Sequence, residues 1–379
     1  MLQRHCLTIG KSKPLRTAFR PSPNNDRLRN VSLRIPPIPR TLKQVARLLF
    51  PVLLSLLAGA VLILAAGQNP LSTYASLFAA GFSCHPGAGQ CALVMALQFA
   101  TPLVLSGLSA TVALRGGFFS IGQLGQMLFG AAAASWLGGT LSLPPSLHPV
   151  VALMGAAFLG CLWGLVPAVL KHFIGVNEII ATLLLNPIAS ILVGLFWLPR
   201  IQVSAQLSPL IHGSKLSAGI FIALGTALLL YLFLWRTTGG MEIRANAGAP
   251  RFALYGGMPV HKPVLLTMAL SGALAGLAGG VEVLGVQYHF VSNFSAVNDF
   301  DGLIIAFAGQ LHPAGVVLFA LLLGGLRLGS LVGLQMLSGI PRELGGALIA
   351  FMLIFVTTSR FSYPNGRSTS QYVAETSSL

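Results

Sequence analysis

Acidic residues are scarce in this chain. Eight Asp and Glu stand among 379 residues, and charges of both signs reach only 8%. Soluble domains carry about 25%, so a protein held in solution by a charged surface is excluded. There is no G-x-x-x-x-G-K-[S/T] loop, so the chain cradles no nucleotide phosphate through that motif. The four cysteines are scattered, with no C-x-x-C and no Cys/His cluster to suggest a metal. Cys6 lies near the start and Cys161 inside an apolar run. Cys84 and Cys91 flank a Gly/Pro-rich stretch, where a disulfide and two free thiols fit equally well. No convergent acid, base or nucleophile cluster emerges, so no catalytic residue is assigned.

Apolar sequence is what the chain has in excess, at 54%. From Gly116 to Leu170 there is no Asp, Glu, Lys or Arg. Runs of roughly 18 or more apolar residues read as membrane spans. The expectation is an all-α, polytopic integral membrane bundle of nine or ten transmembrane helices. They fall near 48–66, 91–114, 117–137, 149–170, 178–198, 216–235, 263–284, 301–310, 314–332 and 343–359. The eighth is the exception. Asp301 to Gln310 is too short to cross about 30 Å at about 1.5 Å per residue. Extension through Asn293 to Phe300 and a re-entrant half-helix buried in protein both fit. The domain reading is a basic tail 1–44, a membrane domain 45–360 and a second tail 361–379.

Basic residues orient this bundle. Eleven of the 23 Lys and Arg lie in the first 47 positions, against Asp26 alone. That stretch is rich in Pro, Ser and Asn, which favours disorder, and it lacks the apolar core of a signal peptide. It reads as a cytoplasmic tail rather than a nucleic-acid-binding arm. With the N-terminus inside and ten crossings, 19 Lys and Arg lie inside, three lie outside, and Arg327 falls within a span. With nine crossings the ratio is 18 to 4, so the bias does not decide the number of spans. The longest inner loop runs from Arg236 to Lys262, with Pro250 suited to start a short helix. A docking element for a soluble partner and a plain connector both remain open.

Polar groups inside the apolar runs are the candidates for function. Glu178, Glu282, Asp299 and Asp301 lie near span ends, where water reaches them. No chain of buried acids of the kind used by proton-coupled carriers is present, so energy for uphill transport would come from a separate ATPase. Phe118 to Gln126 is polar and Gly-rich at the start of a span. Its Gln amides and Ser hydroxyl need partners or a polar ligand. Gly122 and Gly125 can break the helix there, as in discontinuous transporter helices. Asn186-Pro187 interrupts the fifth span. Glu178 and Asn186 fall on adjoining sides of a regular helix, and Asn177 nearly opposite Asn186 unless it precedes the helix. The candidate solute-binding set is Phe119, Ser120, Gln123, Gln126, Asn177, Glu178 and Asn186. Leu105-Ser106-Gly107 recurs loosely as Leu270-Ser271-Gly272 on a helix of opposite direction, which suits an inverted repeat. Gly272, Gly276 and Gly280 line one helical face and read as close packing.

These residues also carry a family resemblance. From about Ala92 to Arg360 the sequence resembles the permease subunits of bacterial ABC importers for nucleosides and simple sugars, a group that includes branched-chain amino acid importers. Thr101-Pro102-Leu103, the stretch Arg115 to Gln126, and Gly175-Val176-Asn177-Glu178 through Leu185-Asn186 match its spans. Arg244-Ala245, Pro250, Ala253, Tyr255 and Gly257 match its cytoplasmic loop, and Phe300-Asp301-Gly302 with Gly309 and Pro313 its last block. Ser120, Leu124 and Pro187 stand where the family usually has Asn, Glu and Tyr. The resemblance implies a partner ATPase that binds the ATP, so this chain itself needs no cofactor. It implies docking of that ATPase on 236–262, through Arg244, Pro250, Arg251, Tyr255 and Gly257. It also implies a second, related permease, an extracytoplasmic solute-binding protein, and residence among the lipids of a bacterial inner membrane. An ATP-independent carrier and an embedded enzyme are the alternative readings.

Overall fold

A computed structural model of the chain describes residues 53–54, 56–65, 67–84, 91–196, 199–210, 216–248, 250–257, 261–291, 300–337, 346 and 350. All fall in the unit Val45–Leu379. The expected basic tail 1–44 and the tail 361–379 lie outside the described residues, and the expected span 343–359 is described only at 346 and 350. Among the described residues the regular elements are helices, beside one isolated bridge between Pro209 and Ser217.

The helices are α1 (Leu56–Ala65), α2 (Pro70–Phe82), α3 (Ala92–Arg115), α4 (Gln123–Thr140), α5 (His148–Ile174), α6 (Glu178–Gly194) and α7 (Gly219–Arg236). Two short helices follow, α8 (Thr238–Gly248) and α9 (Pro250–Tyr255), then α10 (His261–Glu282), α11 (Asp301–Ala308) and α12 (Pro313–Leu328). π-helical turns prolong α10 through Val283–Gln287 and α12 through Gly329–Leu337. Among the described residues five helices are long and apolar enough to cross a membrane: α3, α5, α7, and α10 and α12 with their extensions. The α1–α2 pair adds one more if it is a single span bent by 113°.

Three differences from the expected spans have physical causes. The connection expected at 67–90 holds α2. Its start is written in Asn69-Pro70: the Asn69 side chain accepts from the Leu71 N–H at 3.0 Å, and proline occupies the first turn, where its missing donor costs nothing. Cys84 and Cys91 are bonded to each other at its far end, with Cα atoms 4.6 Å apart. The span expected at 117–137 begins six residues later, because Gly117 turns to φ 76° and the backbone then runs without helix to Ile121. The segment expected at 301–310 is a helix of eight residues, about 12 Å long, which cannot cross a bilayer by itself. It ends at Gly309, and the chain turns through Gln310 (φ 58°) and Leu311 (φ 54°) into α12.

The core is built on glycine. A Cβ at Gly164 would lie 2.7 Å from the Met268 carbonyl, and one at Gly276 would lie 2.9 Å from Gly160 Cα. The backbones of α5 and α10 therefore touch along the Gly272–Gly276–Gly280 face that the four-residue spacing predicted. Ser109 on α3 and Ser271 on α10 share a buried hydrogen bond of 3.0 Å. The outward face is apolar instead of charged: Met154, Phe158, Phe173, Ile191 and Leu229 are each more than 60% exposed. A soluble chain could not hold such a surface in water, whereas lipid or another subunit covers it at no cost.

Gly276→Ala should destabilise the bundle by about 1–3 kcal/mol through overpacking. Gly225→Ala meets open space and should be neutral or stabilising by up to about 1 kcal/mol. Thermal unfolding followed by fluorescence-detected gel filtration in detergent separates the two outcomes.

Candidate functional site

The break between α3 and α4 leaves backbone groups without helical partners, and α6 supplies them. Gly122 occupies the cap position of α4 and has no side chain to offer. The Asn186 carboxamide does the work instead: its Oδ1 accepts from the Gly125 N–H at 3.1 Å, and its Nδ2 donates to the Ile121 carbonyl at 2.9 Å. One turn earlier on the same face, Thr182 Oγ1 accepts from the Ile121 N–H at 3.2 Å. Ser120 closes the turn from within. Its Oγ accepts from the Gly122 N–H at 3.3 Å, and its carbonyl accepts from Gln123 Nε2 at 3.1 Å.

Ser120, Gln123, Gln126, Thr182 and Asn186 are all buried. Gln123 Oε1 and Gln126 Oε1 have no hydrogen-bond partner among the described residues. A buried acceptor without a donor costs about 1–3 kcal/mol. Gln126 lines a narrow cleft with Gly122, Trp163, Pro167, Thr182 and Leu185. Trp163 forms one wall and stacks on Phe129, with ring centroids 4.2 Å apart.

Five of the seven sequence candidates thus lie on or beside the break: Phe119, Ser120, Gln123, Gln126 and Asn186. Phe119 itself faces Phe307 of α11, centroids 6.2 Å apart. Asn177 and Glu178 stand apart from this group. Asn177 is exposed and caps α6, accepting from Ile179 N–H at 2.9 Å. Glu178 pairs with Lys171 at 2.7 Å, and the Lys171 ammonium also lies 5.0 Å from the Phe118 ring centroid. Thr182 was missed by the sequence reading. Its signal was its position four residues before Asn186, on the face that meets the break.

At one end of the bundle the loop 236–262 folds into α8 and α9. Thr237 caps α8, its Oγ1 accepting from Gly240 N–H at 3.2 Å. α9 starts at Pro250, as the sequence suggested, and presents Leu254 and Tyr255 outward, the latter 89% exposed. The turn closes at Gly257, φ 73°, whose N–H donates to the Leu254 carbonyl at 3.0 Å. The side chains of Pro250 and Arg251 lie outside the described ones. Arg244 lies over the Trp235 ring, 5.6 Å from its centroid. Among the described residues no group of three or more His, Cys, Asp or Glu is placed to hold a metal.

An apolar-faced helical bundle with a broken, amide-lined helix and a structured loop at one end has the architecture of a membrane permease. Residues 92–357 match the family described as branched-chain amino acid transport system, permease component, and the chain belongs to that family. It is 35% identical over 336 residues to the guanosine ABC transporter permease protein NupP of Bacillus subtilis, covering 84% of this chain and 95% of that protein. It is 30% identical to the nucleoside ABC transporter permease protein NupB of Lactococcus lactis, over 81% of this chain and 89% of that one. A third relative, 29% identical, is the glucose ABC transporter permease protein TsgB13 of Haloferax volcanii, covering 82% and 86%. No solved structure gives a significant match. The chain is a multi-pass permease subunit of the ABC type.

Asn186→Leu should destabilise the fold by roughly 2–4 kcal/mol, since it strands Gly125 N–H and the Ile121 carbonyl in a buried site. Asn177→Ala removes only an exposed cap and should cost about 1 kcal/mol. Thermal unfolding in detergent gives the ranking; equal effects would contradict the clamp.

Proposed function

We propose that this chain forms half of the solute path of an ATP-driven importer in a bacterial inner membrane, carrying a neutral polar solute, most simply a nucleoside. The observation that carries the reading is the pair of buried amide oxygens on Gln123 and Gln126, which lack donors among the described residues beside a helix break. A nucleobase N–H or a ribose hydroxyl supplies such donors, and Phe119 and Trp163 offer faces for stacking. No ionisable side chain lies among Ser120, Gln123, Gln126, Thr182 and Asn186, which suits an uncharged cargo. The names of two of the relatives, for guanosine and for nucleosides, agree with this chemistry. Glucose in the third keeps a simple sugar as the second substrate class. Asn177 and Glu178 border the path from the start of α6.

The bias of basic residues supports an N-terminus and a 236–262 loop on the cytoplasmic side. The Cys84–Cys91 bond then falls on the oxidising outer side, where disulfides persist. The α8–α9 loop docks an ATPase subunit through Arg244, Pro250, Arg251, Tyr255 and Gly257. A second, related permease and an extracytoplasmic binding protein complete the assembly. Nucleotide binding and hydrolysis in the partner rock the helices around the break, so that it opens to each side in turn.

Labelled nucleoside uptake in cells carrying Gln126→Leu should fall about tenfold, the worth of one lost buried hydrogen bond. Uptake that stays unchanged in Gln126→Leu and in Gln123→Leu would remove the site. Tyr255→Ala should leave the permease folded and release the ATPase during copurification, and undiminished recovery of the ATPase would place the docking surface elsewhere.

A further inference from the structure

One indole gathers four separate elements at the loop end of the bundle. The Trp235 ring, on the last turn of α7, has the Arg115 guanidinium 5.2 Å from its centroid and that of Arg244 at 5.6 Å. Tyr231 stacks on it at 5.4 Å, and the His312 ring lies 5.0 Å away. Arg115 ends α3 and opens the break, Arg244 belongs to α8, and His312 sits in the turn between α11 and α12. Two cations held near one ring repel each other, and attraction of each to the ring offsets part of that repulsion. No acid is paired with either arginine among the described residues.

Arg115 has a second duty. Its Nε donates to the Leu311 carbonyl at 3.0 Å and its Nη2 to that of Gln310 at 3.4 Å. Gln310 and Leu311 are consecutive non-glycine residues at positive φ, a conformation that persists only where the surroundings impose it. The backbone of α8 also lies against the break directly: a Cβ on Gly117 would come within 3.2 Å of Ala247 Cα. The docking loop, the entrance of the break and the strained turn are thus mechanically joined, with Trp235 at their meeting point.

We propose that Trp235 is the joint that transmits movement of the α8–α9 loop to the break 116–122 and to the α11–α12 turn, through Arg244 on one side and Arg115 on the other. The ring contacts of Trp235 are with Arg115, Arg244, Tyr231 and His312, none of them in the amide cluster, so it acts as a positioning residue. This inference rests on the importer reading above, in which α8–α9 receives the ATPase.

The test uses the complete transporter in proteoliposomes: this chain, the second permease, the ATPase and the binding protein. ATP hydrolysis is measured with and without loaded binding protein, beside solute uptake. Trp235→Leu should assemble and hydrolyse ATP without stimulation within about twofold of wild type, while stimulation and uptake fall about tenfold or more. Trp235→Phe keeps a π face and should restore at least about half of the stimulation. Normal stimulation in Trp235→Leu, or equal losses in the Leu and Phe variants, overturns the joint. Should Trp235→Leu fail to assemble, Arg115→Gln leaves α7 intact and should show the same uncoupling; full coupling in that variant overturns the proposal. Wild-type transporter without any solute-stimulated hydrolysis would overturn the importer reading, and the joint with it.

Discussion

Every backbone amide that leaves a helix inside an apolar bundle must find another partner, because no bulk water stands ready to take it. That constraint governs the region between α3 and α4. The chain leaves the helix at Gly116, and its free groups at Ile121 and Gly125 are met by Thr182 and Asn186 from a different helix. Asn186 behaves as an N-cap supplied from outside, bonding the N–H that a local Ser or Asp would normally take. Ser120 and the Gln123 amide close the rest of the turn. Once these bonds are assigned, the oxygens of Gln123 and Gln126 are left over, and the functional reading grows from that remainder.

The break is held on a foundation that resists sliding. Along α5 and α10 the glycines bring backbone against backbone, so a displacement along either axis drives carbonyls into Cα atoms. α4 joins the same block, since a Cβ at Gly130 would collide with the Gly276 backbone. Movement therefore belongs to elements without such contacts. α9 is one such element: it is six residues long and exposes Leu254 and Tyr255. A fixed block of α4, α5 and α10 beside a lightly held α9 suits the rocking motion proposed above.

Much of this was legible in the chain. Uninterrupted apolar runs gave α3, α5, α7, α10 and α12, because a helix that faces lipid needs no polar stripe and its length alone marks it. The break was legible as glycines and amides where apolar residues were due, and the packing face as glycine at four-residue spacing. Other features needed distances that no local pattern contains. Thr182 looks like any small polar residue in a span until Ile121 N–H is placed beside it. Asn177 also caps α6 through its amide oxygen, a bond that is seen only once the start of the helix is placed. α2 is too short, and too broken by Ser72, Thr73 and Ser76, to stand out as a span, and its Asn-Pro start is a weak signal alone. Cys84 and Cys91 admitted two states until their Cα atoms were seen close together.

The pairing of Asp301 with Arg327 shows how a chain so poor in charge keeps two ions in its interior. Their side chains are only 14% and 15% exposed, across 26 positions of sequence. Moving each ion out of water costs several kcal/mol, and mutual attraction alone seldom returns that amount. Here Asp301 also sits at the helix end that favours it. Asp301 is in the first turn of α11, where the dipole is positive, whereas Arg327 lies inside a helix that continues through π-helical turns to Leu337. That placement contributes about 0.3–1 kcal/mol, and more when partly buried. The sum approaches balance rather than a large gain, so strength is not what the pair provides. What it fixes is register: only one axial offset between α11 and α12 brings Asp301 to Arg327, the same offset that sets Gly309 against Gly315. At the opposite end of α11 the turn is held by Arg115. The short helix is thus tied at both ends by guanidinium groups that belong to other helices, so its position follows theirs.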